Sequence, residues 1–182
     1  MKYKKTVVLK NNEECLIRNA GGSDAKEVHD NFNLTHSETD FLLSYPDENS
    51  FDIEQERHFL IEKENSDNEI EICAIIGGRI IGTAGIEAVG KKDKVKHRAE
   101  FGISIEKEYW GLGIGRALIV ACIECAKCAG YAQLELDVVS ENRNAIALYK
   151  SVGFGEYGRN PKGFCSRSIG WQEVILMRME LD

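Results

Sequence analysis

The amino-acid sequence predicts an α/β fold of the α+β kind: a mixed central sheet of about seven strands with helices on both faces. Three observations predict it. Isoleucine-rich runs with an alternating pattern follow one another through the middle of the chain. A strand, helix, strand unit comes after them, and such a succession builds a mixed sheet covered on both sides. The 182 residues suffice to bury roughly two thirds or more of the unfolded surface in one core, so residues 1–182 are expected to form a single domain.

Taken in order, CLIRNA (15–20) reads as a first strand, and Ser23 or Asp24 caps a helix that runs to about Leu34. After the turn residues around Pro46 and Asn49, EQERHFLIEKEN (54–65) reads as a second helix. EICAIIGGRIIGTAGIEAV then alternates about Gly77-Gly78, a two-glycine hairpin signal. The basic tract KKDKVKHR (91–98) is a solvated connection to AEFGISI, the fourth strand. A helix from about Ile114 to Ala129, the strand AQLELDVVS, a helix from about Asn142 to Ser151 and two strands near 154–159 and 171–180 complete the chain. The opening MKYKKTVVLKNNEE holds only the apolar run TVVL, too short for a signal-peptide core or a bilayer span. A cytoplasmic protein without a membrane partner is expected, and its six cysteines read as reduced thiols.

Charge is unevenly spread. Between Asp24 and Glu71 stand fifteen Asp and Glu against three Lys and Arg, a balance of −12 within a chain whose net charge is −7. The acidic third disfavours nucleic acid and attracts a cationic small molecule or a basic peptide, while the remainder can accommodate an anion. A solvated acidic surface with no partner fits the same residues.

The stretch YWGLGIGRAL (109–118) sets three glycines at alternate positions and turns straight into a helix-forming run. That much bare backbone at the mouth of a helix points to close approach by a ligand or to positive φ. Exposed amides and the helix dipole there suit a pyrophosphate. A dinucleotide-binding strand-turn-helix needs G-x-G-x-x-G directly after its strand. Here the glycines fall at 111, 113 and 115, and EKEYW (106–110) intervenes, so that reading fails on spacing.

A second segment, ENRNAIALYKSVGF (141–154), completes the pattern. Together the two stretches resemble the GNAT superfamily of acetyl-CoA-dependent N-acetyltransferases, which has an Arg/Gln-x-x-Gly-x-Gly/Ala loop after its fourth strand and N-x-x-A-x-x-L-Y-x-x-x-G-F in the following helix. Gly113 and Gly115 match the loop, and Asn142, Ala145, Leu148, Tyr149, Gly153 and Phe154 match the helix. GWQEVILM (170–177) looks like the family's last strand. The Arg/Gln position is Trp110, a departure. The resemblance implies the GNAT fold, with a splay between the fourth and fifth strands, and acetyl-CoA as acetyl donor. Cofactor contacts are then expected at Gly111, Gly113, Ile114, Gly115, Arg116 and Asn142, with Arg143 or Lys150 as further phosphate partners.

Alternation along AEFGISI puts Phe101, Ile103 and Ile105 on one face and Glu100, Gly102 and Ser104 on the other. Where the next strand splays away, the edge groups of Ile103 and Ile105 need partners; the resemblance implies that the amides of the pantetheine arm supply them. The leaving group of acetyl transfer is a thiolate, and Tyr149 is the phenol placed to protonate or stabilise it. Asn142 lies seven residues before it, two helical turns along the same face. The other reading of Tyr149 is a core aromatic beside Leu148 and Phe154, and that of Asn142 is a helix N-cap. Glu100 is the candidate base, directly or through water, unless it pairs with Arg98 or another basic neighbour. His29, His36, His58 and His97 are scattered.

Cys122, Cys125 and Cys128 are spaced as in some iron-sulfur proteins. On a helix, steps of three spread them over roughly 120° of surface, so they read as small apolar side chains packed on the sheet, and no metal is expected. The expected activity is acetyl transfer from acetyl-CoA to a primary amine by direct attack. The first two helices would form the acceptor wall, as the resemblance implies. Because that stretch is acidic, a cationic acceptor is expected: a polyamine, an amine-bearing metabolite or a basic protein N-terminus. A different class stays open, a non-catalytic module that binds acyl-CoA as a sensor. The oligomeric state is left open, a homodimer included.

Overall fold

The computed structural model describes residues 1–181. In chain order the elements are β1 (Lys4–Val8), β2 (Glu14–Asn19), α1 (Ala25–Ser37), α2 (Ile53–Asn65), β3 (Ile70–Ile76), β4 (Arg79–Ala88), β5 (Arg98–Ile105), α3 (Ile114–Cys128), β6 (Gln133–Val139), α4 (Arg143–Ser151), β7 (Gly155–Ser166) and β8 (Gly170–Glu180). The strands form one sheet in the order β1-β2-β3-β4-β5-β6-β8-β7. Among the described residues only β5 and β6 pair in parallel; the other neighbours run antiparallel.

Period-two alternation assigns the faces. On β3, Ile72 and Ala74 join the larger core while Cys73 between them joins the smaller one. The larger core holds the buried stripe of α3, including Leu118, Ile119 and Cys122, together with Tyr149 of α4. The smaller core holds Ala25 and Val28 of α1 and Leu60 of α2. Helices therefore cover both faces, as the mixed alternation of the sequence predicts. Gly77 and Gly78, both at positive φ, make the β3–β4 turn. Asp52 caps α2 by accepting from the Gln55 amide at 2.8 Å, and the Gln55 side chain accepts in return from the Asp52 amide at 2.9 Å.

Among the described residues the sheet has eight strands against the seven expected. The addition is β1, the KKTVV stretch, which pairs with β2 at the sheet's edge. It is mostly exposed and lysine-rich, the composition that keeps an edge strand from pairing further. Its alternation is correspondingly faint, so the sequence shows only a short apolar run. The splay expected between the fourth and fifth strands consequently falls between β5 and β6. The final hairpin is also longer than expected. β7 continues to Ser166 through two irregularities, at Glu156–Gly158 and at Asn160–Phe164, the second of which absorbs Pro161. Proline lacks a ladder donor and is tolerated at a sheet edge or bulge, which is why the segment reads as a loop. No helix among the described residues is long and apolar enough to cross a membrane.

Candidate active site

The parallel pairing of β5 with β6 covers only Arg98–Glu100 against Gln133–Glu135. Beyond it β6 stays laddered to β8 as far as Val139, while β5 stays on β4. The direction of the β5 edge groups follows from two hydrogen bonds. The Glu106 amide donates to Ile81 O at 3.0 Å and the Val89 amide donates to Arg98 O at 3.1 Å, so residues 98 and 106 face β4. Alternation then turns the main-chain groups of Phe101, Ile103 and Ile105 toward the vacated side. One of them is taken: the Trp110 indole N–H donates to Ile105 O at 2.7 Å. The residue that departs from the expected loop pattern thus braces the strand end.

The gap between the strands opens into a cavity of about 800 Å³. Ile103, Ser104 and Ile105 of β5 line one wall, and the loop from Tyr109 to Arg116, Leu112 excepted, lines its end. Residues Glu141–Ala145, Leu148 and Tyr149 form the opposite wall. Gly111 and Gly113 have φ of +81° and +101°, and an added Cβ at either would meet nothing within 4 Å. Both are in the left-handed region, where a side chain is strained. Gly113 is the N-cap of α3, so the first amides of the helix point outward unpaired, a cradle for an anion. Gly115 serves packing: a Cβ there would lie 2.9 Å from Leu148 Cδ2.

Tyr149 is 8% exposed and packs edge-on against Phe101 with ring centroids 6.2 Å apart. Burial pushes its phenol well above the ordinary range. Its hydroxyl has no hydrogen-bond partner among the described residues, so it can donate to whatever occupies the cavity. Tyr149 is thus a core aromatic that also forms part of the cavity wall. Asn142 likewise does double service, capping α4 by accepting from the Ala145 amide at 3.3 Å while lining the cavity. The expected cofactor residues Ile103, Ile105, Gly111, Gly113, Ile114, Gly115, Arg116 and Asn142 all line this one cavity, as does Arg143; Lys150 does not.

Glu100 is not brought to it. It is exposed at the paired end of β5, opposite Glu87 and Glu135. It shares a face with Ser104 but stands four residues away, roughly 13 Å along the strand. The alternative ion pair with Arg98 is absent too: Arg98 engages Glu135, with Nη2 donating to Oε2 at 2.7 Å. The acidic stretch meets the cavity at only a few positions. From the acidic third, the cavity meets Thr35, Thr39, Phe41 and Leu42. The nearby acids are turned into structural bonds: Glu38 accepts from the Lys107 amide at 2.7 Å, Asp40 from the Ser168 hydroxyl at 2.6 Å, and Asp47 from Arg167 at 2.7 Å. Composition reports a segment's charge and not its direction. The cysteines of α3 divide, with Cys122 and Cys125 buried and Cys128 exposed.

Residues 31–154 match the sequence profile of the acetyltransferase (GNAT) family, more than half of the chain. The chain belongs to the GNAT acetyltransferase family. A GNAT-family acetyltransferase from Streptococcus pneumoniae superposes with a TM-score of 0.87 at 32% identity, covering 91% of this chain and 99% of that one. A protein from Salmonella typhimurium solved with its cofactor acetyl-CoA shares the GNAT fold at a TM-score of 0.80 and 20% identity, over 92% of this chain and 94% of that one. The [ribosomal protein bS18]-alanine N-acetyltransferase of Escherichia coli is 33% identical over 82 residues, 45% of this chain and 55% of that protein. The chain spans between 26% and 55% of the length of the curated relatives it matches.

Proposed function

We propose that the protein transfers an acetyl group from acetyl-CoA to a primary amine by direct attack, without a covalent enzyme intermediate. One observation carries this reading: an unladdered strand edge, two left-handed glycines at a helix start and a phenol held protonated converge on a single cavity. Bound acetyl-CoA would supply an activated thioester carbonyl. The amides at the start of α3 hold its pyrophosphate, and Arg116 and Arg143 add charge beside them. Ile103, through its main chain, pairs with the pantetheine arm as a neighbouring strand would.

As the amine nitrogen forms its bond to the carbonyl carbon, the carbon–sulfur bond breaks and negative charge collects on sulfur. Tyr149 donates a hydrogen bond to that sulfur. Complete proton transfer is uphill, because a buried phenol is a far weaker acid than a thiol with its ordinary pKa near 8.5. The hydroxyl therefore acts by stabilising charge, and the proton that completes the thiol comes from solvent. The incoming ammonium sheds one proton to solvent before it attacks and a second as the amide forms, which balances the solvent proton taken up by the thiolate.

The acceptor favoured is a protein N-terminus with a neutral or apolar first residue, ahead of a polyamine. Phe41 and Leu42 are among the residues that line the cavity, and the Escherichia coli relative is by name an alanine N-acetyltransferase of a ribosomal protein. The test is thiol release from acetyl-CoA by the purified protein, across peptides with free and blocked N-termini, polyamines and small neutral amines. Turnover is expected with free α-amino groups and not with blocked ones. Turnover with polyamines alone would refute the acceptor. Coenzyme A binding with no turnover on any amine would make the protein a binding module, and no binding would refute the reading altogether.

A further inference from the structure

We infer that Lys10, at the tip of the β1–β2 hairpin, holds a phosphate of the nucleotide part of coenzyme A, an inference that rests on the acetyl-CoA reading above. The hairpin is the added edge of the sheet, yet its tip reaches the glycine loop. The turn is closed by the Leu9 amide donating to Glu13 O at 2.9 Å and by Asn12 at φ +67°. From that turn the Lys10 amide donates to Leu112 O at 3.1 Å, between the two left-handed glycines. Backbone meets backbone here, so the lysine side chain is placed by the loop it would serve.

Two cavities meet at this point. The large one is described above; a second, of about 260 Å³, lies between β1 and α3. Lys10, Gly113 and Arg116 line both. The side chain of Lys10 is exposed and has no anionic partner among the described residues. The neighbouring groups are otherwise engaged: Lys5 lies 3.9 Å from Glu124, and Glu13 accepts from the Asn11 amide group at 2.6 Å. Arg116 donates to the Ser151 hydroxyl at 3.0 Å, which fixes its guanidinium beside the helix start.

Trp110 spends its indole N–H on Ile105 O, so its side chain brings no charge to the loop. Lys10 can bring one from the β1–β2 turn, because a phosphate responds to the position of an ammonium group and not to its place in the chain. Lys10 and Arg116 then flank the exit from the glycine loop, where the nucleotide's phosphates must pass.

The test is calorimetric titration of coenzyme A and of 3′-dephospho-coenzyme A into the wild type, Lys10→Ala and Lys10→Arg, with a thermal melt of each protein. Lys10→Ala leaves the main-chain bond to Leu112 in place, so its melting temperature should not move. Its affinity for coenzyme A should fall about three- to tenfold, with the difference shrinking as ionic strength rises, and Lys10→Arg should restore it. A loss seen with coenzyme A alone assigns the 3′-phosphate; an equal loss with both ligands assigns the pyrophosphate. Unchanged affinity in Lys10→Ala, or a loss that neither salt nor arginine alters, overturns the inference while leaving the acetyl-CoA reading intact. A wild type that binds neither ligand overturns both.

Discussion

Replacing Tyr149 with Phe separates the two services of this residue. Its ring contacts, with centroids 6.2 Å from Phe101 and 6.0 Å from Phe154, survive the change, and each is worth about 0.5–1.5 kcal/mol beyond area burial. No intramolecular hydrogen bond is lost, since the hydroxyl has no partner among the described residues. Stability should therefore hold to within about 1 kcal/mol, or roughly 2–4 °C for a chain of this size. Tyr149→Ala, by contrast, empties a buried aromatic site and should cost about 3–5 kcal/mol. The kinetic effect of the Phe variant is worked from the bond it removes. A hydrogen bond to a charged group contributes about 1.5–3 kcal/mol, and one decade of rate is about 1.36 kcal/mol, so kcat should fall roughly 10- to 100-fold. Coenzyme A affinity should stay nearly constant. Thiol-release kinetics, titration calorimetry and a melt on the same preparation measure all three quantities. A kcat within about threefold of the wild type, a change under ~0.7 kcal/mol, would show that the phenol does not face the leaving sulfur.

Two further outcomes follow from the backbone and the buried charges. Gly113→Ala should cost about 1–2 kcal/mol for a side chain at φ +101° and should weaken coenzyme A binding about tenfold, whereas Gly130→Ala, at φ +79° outside the cavity, should show the same melt and unchanged binding; equal binding losses would disconnect the loop from the ligand. Glu71, on β3 among Lys63, Glu56 and Glu87, has its carboxyl pushed up to about 7 by burial. Its folded pKa exceeds the unfolded value near 4.5, so the folded state binds the proton more tightly and stability falls as pH rises between those values, by at most about 3 kcal/mol for this partly buried residue. Glu71→Gln should match the wild type near pH 4.5 and melt higher at pH 8; a lower melt at pH 8 would reverse the sign.

The residues that bear on the cavity were legible because each carries a local constraint that a sequence displays. Glycines at 111 and 113 announce positive φ, and Asn142 announces a cap. The alternation of AEFGISI fixes which groups of β5 meet the gap. What stayed hidden depends on distance across the fold. Glu100 lies on the right face of the right strand, and only the extent of the β5–β6 ladder shows that it sits at the closed end. The acids near Glu38, Asp40 and Asp47 look like a surface until their partners at Lys107, Ser168 and Arg167 are seen. Lys10 is about a hundred residues from the loop it touches, and no short pattern joins them. Trp110 was visible as a departure, but its bond to Ile105 was not.

The segment after α1 crosses the mouth of the cleft. It is fastened to the β5 side through Glu38 and to the β8 side through Asp40, whose carbonyl accepts from Gln172 at 3.1 Å. With the strands joined at Arg98–Glu100 below, the wedge is a frame pinned at apex and rim. The same segment that supplies Phe41 and Leu42 to the cavity therefore also ties together the two strand systems that diverge around it.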